Sequence, residues 1–295
     1  AAPAGLLALV FVTGNPGAIE YFVPFLRRVW ELSGRGIEVC GIAQAGHSRS
    51  TATDALLGLP EQIDHKVSFL RERYSGGVPL VLVGHSIGAY MLLRALDRLR
   101  PGELNVARFI GLCPVVTHIR RSRNARMMAP LIRYAAVRNI VLRAMDVVSL
   151  LPTEFLRKLV ALGLMVHPDA DAACNAESAG ATVQIVDGRV ARNALHLALD
   201  EMRDVQGPAQ FDAVLQRFGQ AAVFVYSPVD GWVAPGAAQE LQQRFPACVF
   251  VHKREPRLSH MFSLNATSVD CMADCTWGHV RAALQEVPGQ PRSRM

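Results

Sequence analysis

Ser86 stands in the run Val81-Leu82-Val83-Gly84-His85-Ser86-Ile87-Gly88, where a β-favouring apolar stretch breaks into Gly-x-Ser-x-Gly and a helix-forming stretch, 89–99, follows without a spacer. A strand that passes into a helix over so few residues must bend its backbone sharply, and the small residues two before and two after the serine permit that bend. A hydroxyl on such a turn stands clear of the sheet, where it can reach a carbonyl carbon. Ser86 is therefore the candidate nucleophile, and the strand and helix around it set the frame for the rest of the chain.

Strands and helices alternate on both sides of this point. Apolar runs at 6–12, 37–42, 80–83 and 108–113 read as strands; 20–32 and 60–74 read as helices between them. Such alternation predicts an α/β fold, a mostly parallel sheet with helices on both faces. From 118 to 218 the strand signal disappears. That stretch is rich in Arg, Ala, Leu and Met and reads as a helical cap insertion, with a loop of small residues around 169–182. Alternation returns with a strand at 221–226, a helix near 236–245, a strand at 248–252 and a last helix around 276–285. The expected organisation is a core made of 1–117 and 219–287, an insertion at 118–218, and a loose tail at 288–295.

An apolar content of 51% over 295 residues is enough to bury a sizeable core. The net charge of +6 comes from arginines scattered through helices rather than from a nucleic-acid-reading motif, so an anionic membrane surface is the expected partner and nucleic acid is not. The six cysteines form no disulfide framework by spacing, which fits a reducing compartment; Cys40, Cys113 and Cys248 fall in strand-like runs. Cys271, Cys275 and His279 share a helical spacing, but three ligands from one helix make poor zinc geometry, and no metal is expected. The chain starts at Ala1 without a methionine, so any targeting segment is expected to be already missing from it. No run of about 20 residues is free of charge, which argues against a membrane-spanning helix.

A serine hydroxyl needs a histidine to take its proton, and that histidine needs a carboxylate to hold its tautomer. On a nucleophile elbow of this kind the chain order is serine, acid, histidine. Asp230 follows the strand ending at Tyr226, in Ser227-Pro228-Val229-Asp230-Gly231-Trp232, whereas the loop after the fourth strand, Pro114-Val115-Val116-Thr117, holds no carboxylate. His260 lies in a loop after the last strand, while His252 ends that strand and His279 falls in a helix. Ser86, Asp230 and His260 are therefore the expected catalytic set. The oxyanion of the transition state needs N–H donors: Ile87, after the nucleophile, and Asn15 in Thr13-Gly14-Asn15-Pro16-Gly17, where Pro16 has none to give.

These residues resemble the lipid droplet-associated hydrolase family, a branch of the α/β-hydrolases. The matching pieces are Gly14-Asn15-Pro16-Gly17 followed by Tyr21-Phe22 and Phe25-Leu26; Ala45-Gly46-His47; Gly84-His85-Ser86-Ile87-Gly88-Ala89-Tyr90; Asp230-Gly231-Trp232 with Pro235; and His260 followed by Phe262. The resemblance implies the α/β-hydrolase fold, a triad at Ser86, Asp230 and His260, and esterase activity on apolar lipid esters such as sterol esters without a cofactor. It also implies residence on lipid droplets and the cytosolic face of the endoplasmic reticulum membrane.

Within the insertion, Ile140-Val141-Leu142, Val147-Val148 and Leu159-Val160 are interrupted by charges and divided at Pro152, which predicts two amphipathic helices. Upstream, Arg120, Arg121, Arg123, Arg126, Arg133 and Arg138 mix with Met127, Met128, Leu131 and Ile132. That mixture suits a helix lying on an anionic lipid surface and equally suits a lid over the active site. Thioester hydrolysis, acyl transfer and a droplet-surface role with little catalysis stay open on the same residues.

Overall fold

The computed structural model describes residues 7–165, 170–171 and 175–286. Leu6, Val166, Asp169 and the tail 288–295 lie outside the described residues. Six parallel strands form the sheet: β1 Ala8–Val12, β2 Glu38–Ile42, β3 Leu80–His85, β4 Val106–Leu112, β5 Ala222–Tyr226 and β6 Val249–His252, in the order β2-β1-β3-β4-β5-β6. The order reverses direction between β1 and β3, and Ser86 stands at the end of β3.

The period-two alternation of each strand feeds two cores. Ala8, Val10 and Val12 of β1, with Leu80 and Leu82 of β3, face helices α2 Leu59–Tyr74 and α3 Ile87–Arg98. Leu9 and Phe11, with Val81 and Val83, face the other side, where α1 Val23–Leu32 packs against the C-terminal helix. Burial on both faces is what makes these strands read as unbroken apolar runs.

Between β4 and β5 the chain forms α4 Arg123–Met127, α5 Ala129–Arg133, α6 Ala135–Ser149, α7 Thr153–Met165, α8 Asn175–Ile185, α9 Gly188–Asp204 and α10 Asp212–Phe218. The break at Pro152 separates α6 from α7 as expected. Leu156, Val183 and Val186 form a small core of their own, with Met145, Val148 and Leu151 packed on it. After β5 come α11 Ala237–Arg244 and α12 Ala266–Glu286.

Three expectations change. The helix expected over 20–32 opens as a 3-10 turn, Ile19–Phe22, and turns α-helical at Val23 because Pro24, lacking an N–H, fits only a first turn. The small-residue stretch expected to be a loop contains α8; its Ser178, Ala179 and Ala181 are buried, so small side chains here serve close packing. The last helix starts about three turns earlier than expected, because the Asn265 side chain caps it by accepting the N–H of Ser268, and polar Ser268 and Thr276 lie on its buried face.

Candidate active site

At the end of β3 the backbone of Ser86 adopts φ 54° and ψ −125°, and α3 begins at the next residue. The two flanking glycines are required by contact. A Cβ on Gly84 would stand 2.5 Å from the backbone of Ala89, and one on Gly88 would stand 2.4 Å from the carbonyl oxygen of Val12. Neither obstacle is a side chain that can turn away, so only glycine lets α3 leave β3 this steeply across β1.

The structure brings together all three residues expected from chain order. His260 Nε2 lies 2.9 Å from Ser86 Oγ, and His260 Nδ1 lies 2.8 Å from Asp230 Oδ2. The other carboxylate oxygen of Asp230 accepts the N–H groups of Trp232 at 2.8 Å and Val233 at 3.0 Å. Burial pushes the Asp230 carboxyl upward, but the charge and hydrogen bond of His260, then the amides of Val233 and Trp232, outweigh it and hold it below its usual range. The acid loop and the histidine loop are tied by a bridge between Val229 and Ser259 and by the Ser227 hydroxyl, which donates to Leu258 O at 2.5 Å.

Sequence reasoning left His85 without a role. Its ring is buried, and burial followed by the neighbouring His260 lowers its pKa to about 3, so the ring is neutral. Nε2–H then donates to the backbone carbonyl of His260 at 2.9 Å, anchoring the main chain of the residue that faces Ser86. Its position inside the elbow motif was the available signal.

The loop after β1 carries Asn15, whose bond to Pro16 is cis. Both N–H groups of the Asn15 side chain are engaged by α9, its Nδ2 donating to Ala194 O at 2.9 Å and to Glu201 Oε1 at 2.8 Å, so an oxyanion donor from Asn15 has to be its backbone N–H. Ile87 opens α3, and its N–H has no earlier helical turn to bond to. A buried polar network supports this loop from beneath. His47 Nδ1 accepts Gly17 N–H at 3.2 Å, Gln44 Nε2 donates to Thr13 O at 2.7 Å, and Lys66 Nζ donates to Gln44 Oε1 at 2.6 Å and Gln62 Oε1 at 3.0 Å. Burial lowers the Lys66 ammonium to about 7. The histidine of Ala45-Gly46-His47 thus holds Gly17 in place beneath the site.

A cavity of about 370 Å³ opens beside Ser86 and His260, walled largely by apolar groups such as Phe22, Ile119, Leu195 and Trp232. Glu201 of α9 also lines it and is buried. Burial first, and then the nearby Asp200, raise the Glu201 carboxyl to about 8 from an ordinary value of 4.5, with the Asn15 bond acting against them. The folded protein therefore keeps a proton that the unfolded chain has released. The stability this proton confers is present below about pH 4.5 and lost as pH rises toward 8. Glu201→Gln has no such term, so its stability advantage over wild type should grow across that window to about 3 kcal/mol at pH 7. Denaturant melts of both proteins at pH 5 and pH 8 check this; parallel pH profiles would contradict a protonated Glu201.

Among the described residues, Cys113, Asp230 and His260 alone bring metal-ligating atoms close together, all within 4.8 Å. The carboxylate and imidazole are already bonded to each other, and burial raises the Cys113 thiol well above its usual range, so the donor set does not fit a metal ion. Cys271, Cys275 and His279 lie half-buried along α12.

A profile of the lipid-droplet associated hydrolase family matches residues 6–263. Lipid droplet-associated hydrolase from Pongo abelii is 28% identical over 91% of this chain and 84% of its own length; the Homo sapiens protein of that name is 27% identical over the same shares. The Drosophila melanogaster protein of that name is 25% identical over 87% of this chain and 83% of its own. Among solved structures, work on carboxylesterases of Nitrososphaera gargenis gives one with a TM-score of 0.65 at 18% identity, covering 97% of this chain and 94% of its own. An alpha/beta hydrolase fold protein from Burkholderia ambifaria gives 0.60 at 17%, covering 92% and 90%. The fold is thus that of the α/β-hydrolases, and the chain, a hydrolase, belongs to the lipid-droplet associated hydrolase family.

Proposed function

We propose that this protein hydrolyses carboxylic esters of apolar lipids, sterol esters among the candidates, with Ser86 as nucleophile, His260 as general base and acid, and Asp230 as the group that orients the imidazole. The observation that carries this reading is the unbroken chain of hydroxyl, imidazole and carboxylate, with steps of 2.9 and 2.8 Å, on the wall of a largely apolar cavity. Asp230 fixes the proton of His260 on Nδ1, leaving Nε2 to take the proton of Ser86. As the Oγ–carbon bond forms, the carbonyl oxygen becomes an oxyanion facing the backbone N–H groups of Ile87 and Asn15. The tetrahedral centre collapses, the C–O bond to the alcohol breaks, and His260 returns its proton to the departing oxygen. Water then repeats the sequence on the acyl-enzyme and frees the acid.

The same reading places the protein on lipid droplets or on the cytosolic face of the endoplasmic reticulum membrane, held there by the cap formed between β4 and β5. No helix among the described residues is long and apolar enough to cross a membrane. On α6 and α7, however, Ile140, Val147, Leu159, Leu162 and Met165 are exposed, and Leu150 between them is 83% exposed. Arg120, Arg126 and Arg133 line a second cavity close by. Apolar side chains beside cations suit a surface of phospholipid head groups over hydrocarbon.

Nitrophenyl esters of graded chain length, assayed with and without phospholipid-coated triolein droplets, test both parts. Wild type is expected to hydrolyse the esters and to float with the droplets. Leu150→Asp with Leu162→Asp is expected to reduce flotation at least fivefold while hydrolysis of a soluble ester persists. Absence of hydrolysis under both conditions would contradict the catalytic reading and favour a droplet-surface role.

A further inference from the structure

Lys66 of α2 is fully buried, and among the described residues its partners are neutral groups rather than carboxylates. An ammonium buried without a counterion is costly, and a methionine of similar length would fill the same space without that cost. What the lysine adds is donors. Its Nζ donates to Ala43 O at 3.1 Å, to Gln44 Oε1 at 2.6 Å and to Gln62 Oε1 at 3.0 Å, with His65 Nδ1 at 3.2 Å. Gln62 does not depend on it, since both ends of its carboxamide also bond to the backbone of Ala45, at 2.9 and 2.8 Å. Gln44 does depend on it: among the described residues, Lys66 is the partner of its Oε1.

An ammonium has hydrogens to give and no lone pair, so it accepts one orientation of the Gln44 carboxamide, oxygen toward Lys66. The NH₂ then faces the loop after β1, donating to Thr13 O at 2.7 Å with Gly14 O at the longer distance of 3.5 Å. Turned over, the same group would set its oxygen against those carbonyls. Gly14 O and the Asn15 N–H are the two ends of one planar peptide unit, so a group that fixes the backbone from Thr13 to Gly14 also fixes where the N–H points. The loop has two glycines and so needs an outside hold. It is packed against Gln44 at Gly17, where an added Cβ would collide with the glutamine side chain, and against Ser86 at Gly14, where one would come within 2.9 Å of Ser86 Cβ. Neither Gln44 nor Lys66 lines the cavity beside Ser86.

We propose that Lys66, acting through Gln44, is a positioning residue for the oxyanion donor: it locks the Gln44 carboxamide, which holds the Thr13–Asn15 backbone so that the Asn15 N–H meets the oxyanion. The pair thus raises kcat without touching substrate. The inference rests on the ester-hydrolase reading above, in which Asn15 supplies one of the two donors.

The purified full chain is compared with two variants on a soluble nitrophenyl ester, with active sites counted by the endpoint of fluorophosphonate titration. Lys66→Met leaves the Gln44 carboxamide free to turn over, whereas Gln44→Glu keeps an acceptor for Lys66 and removes the N–H groups that face Thr13 and Gly14. Removing an oxyanion donor outright costs about 10²–10³ in kcat and misplacing one costs less, so each variant is expected to lose about thirtyfold in kcat per site with KM held within about twofold. A second measurement reads the oxyanion itself. Octyl trifluoromethyl ketone, whose adduct with Ser86 carries an oxyanion, should bind both variants more weakly by a similar factor, whereas octyl propyl ether, which forms no adduct, should inhibit all three proteins equally. A merely structural role would lower the number of titratable sites and leave kcat per site unmoved. That result, or equal affinity of the three proteins for the ketone, overturns the proposal while leaving ester hydrolysis standing. Failure of wild type to hydrolyse the ester defeats both.

Discussion

Asp230→Asn is expected to lower kcat by about four orders of magnitude with little change in stability. The reason lies in the two amides that grip the carboxylate. Trp232 and Val233 both donate to Oδ1, so the asparagine carbonyl must occupy that position and its NH₂ must face His260 Nδ1. A donor there forces Nδ1 to become an acceptor, which moves the ring proton to Nε2, against the Ser86 hydroxyl. An imidazole protonated on that nitrogen cannot take another proton from the serine. Kinetics on a soluble ester, with a denaturant melt as control, check this. A loss of less than about tenfold would remove Asp230 from the role assigned to it.

The second large effect concerns the elbow. Gly88→Ala should destabilise the fold by about 3 kcal/mol, at the upper end of the usual penalty for an overpacked position. The new methyl would stand 2.4 Å from Val12 O and 2.5 Å from Thr13 O, both backbone atoms of the central strand and of the loop that carries Asn15. Relief requires α3 to move off β1, which displaces Ser86 as well, so activity should fall with stability. Gly278→Ala provides the contrast, since nothing lies within 4 Å of its added carbon in α12, and there the change should stabilise by about 1 kcal/mol. Equilibrium unfolding of the two variants distinguishes them; equal stability would mean that the tight crossing at Gly88 imposes no cost.

The α/β class and the places of the strands were legible because both faces of the sheet are covered, which leaves runs such as Leu7 to Val12 without a polar residue. Ser86, Asp230 and His260 were legible because local chemistry and chain order constrain them together. Glu201 was not. In the run Leu197-Ala198-Leu199-Asp200-Glu201-Met202-Arg203-Asp204 it reads as one more charge on the wet side of an amphipathic helix. Its burial follows from where α9 crosses the β1 loop, a contact between parts of the chain far apart in sequence. Lys66 is hidden in the same way: a helical lysine is ordinarily solvated, and only the loop after β2 folding over α2 encloses it with Gln44 and Gln62. The early start of α12 was missed because its first turns carry Ser268, Asp270 and Asp274, which mask the apolar stripe of Val269, Met272 and Ala273.

A fluorophosphonate probe followed by peptide mass analysis tests the catalytic assignment most directly, because it reports whether the hydroxyl at the elbow is activated without requiring the natural substrate. One adduct is expected on wild type, carried by the peptide that contains Ser86, with none on Ser86→Ala. Equal labelling of the two proteins, or an adduct on a different residue, would contradict the assignment of Ser86 as nucleophile.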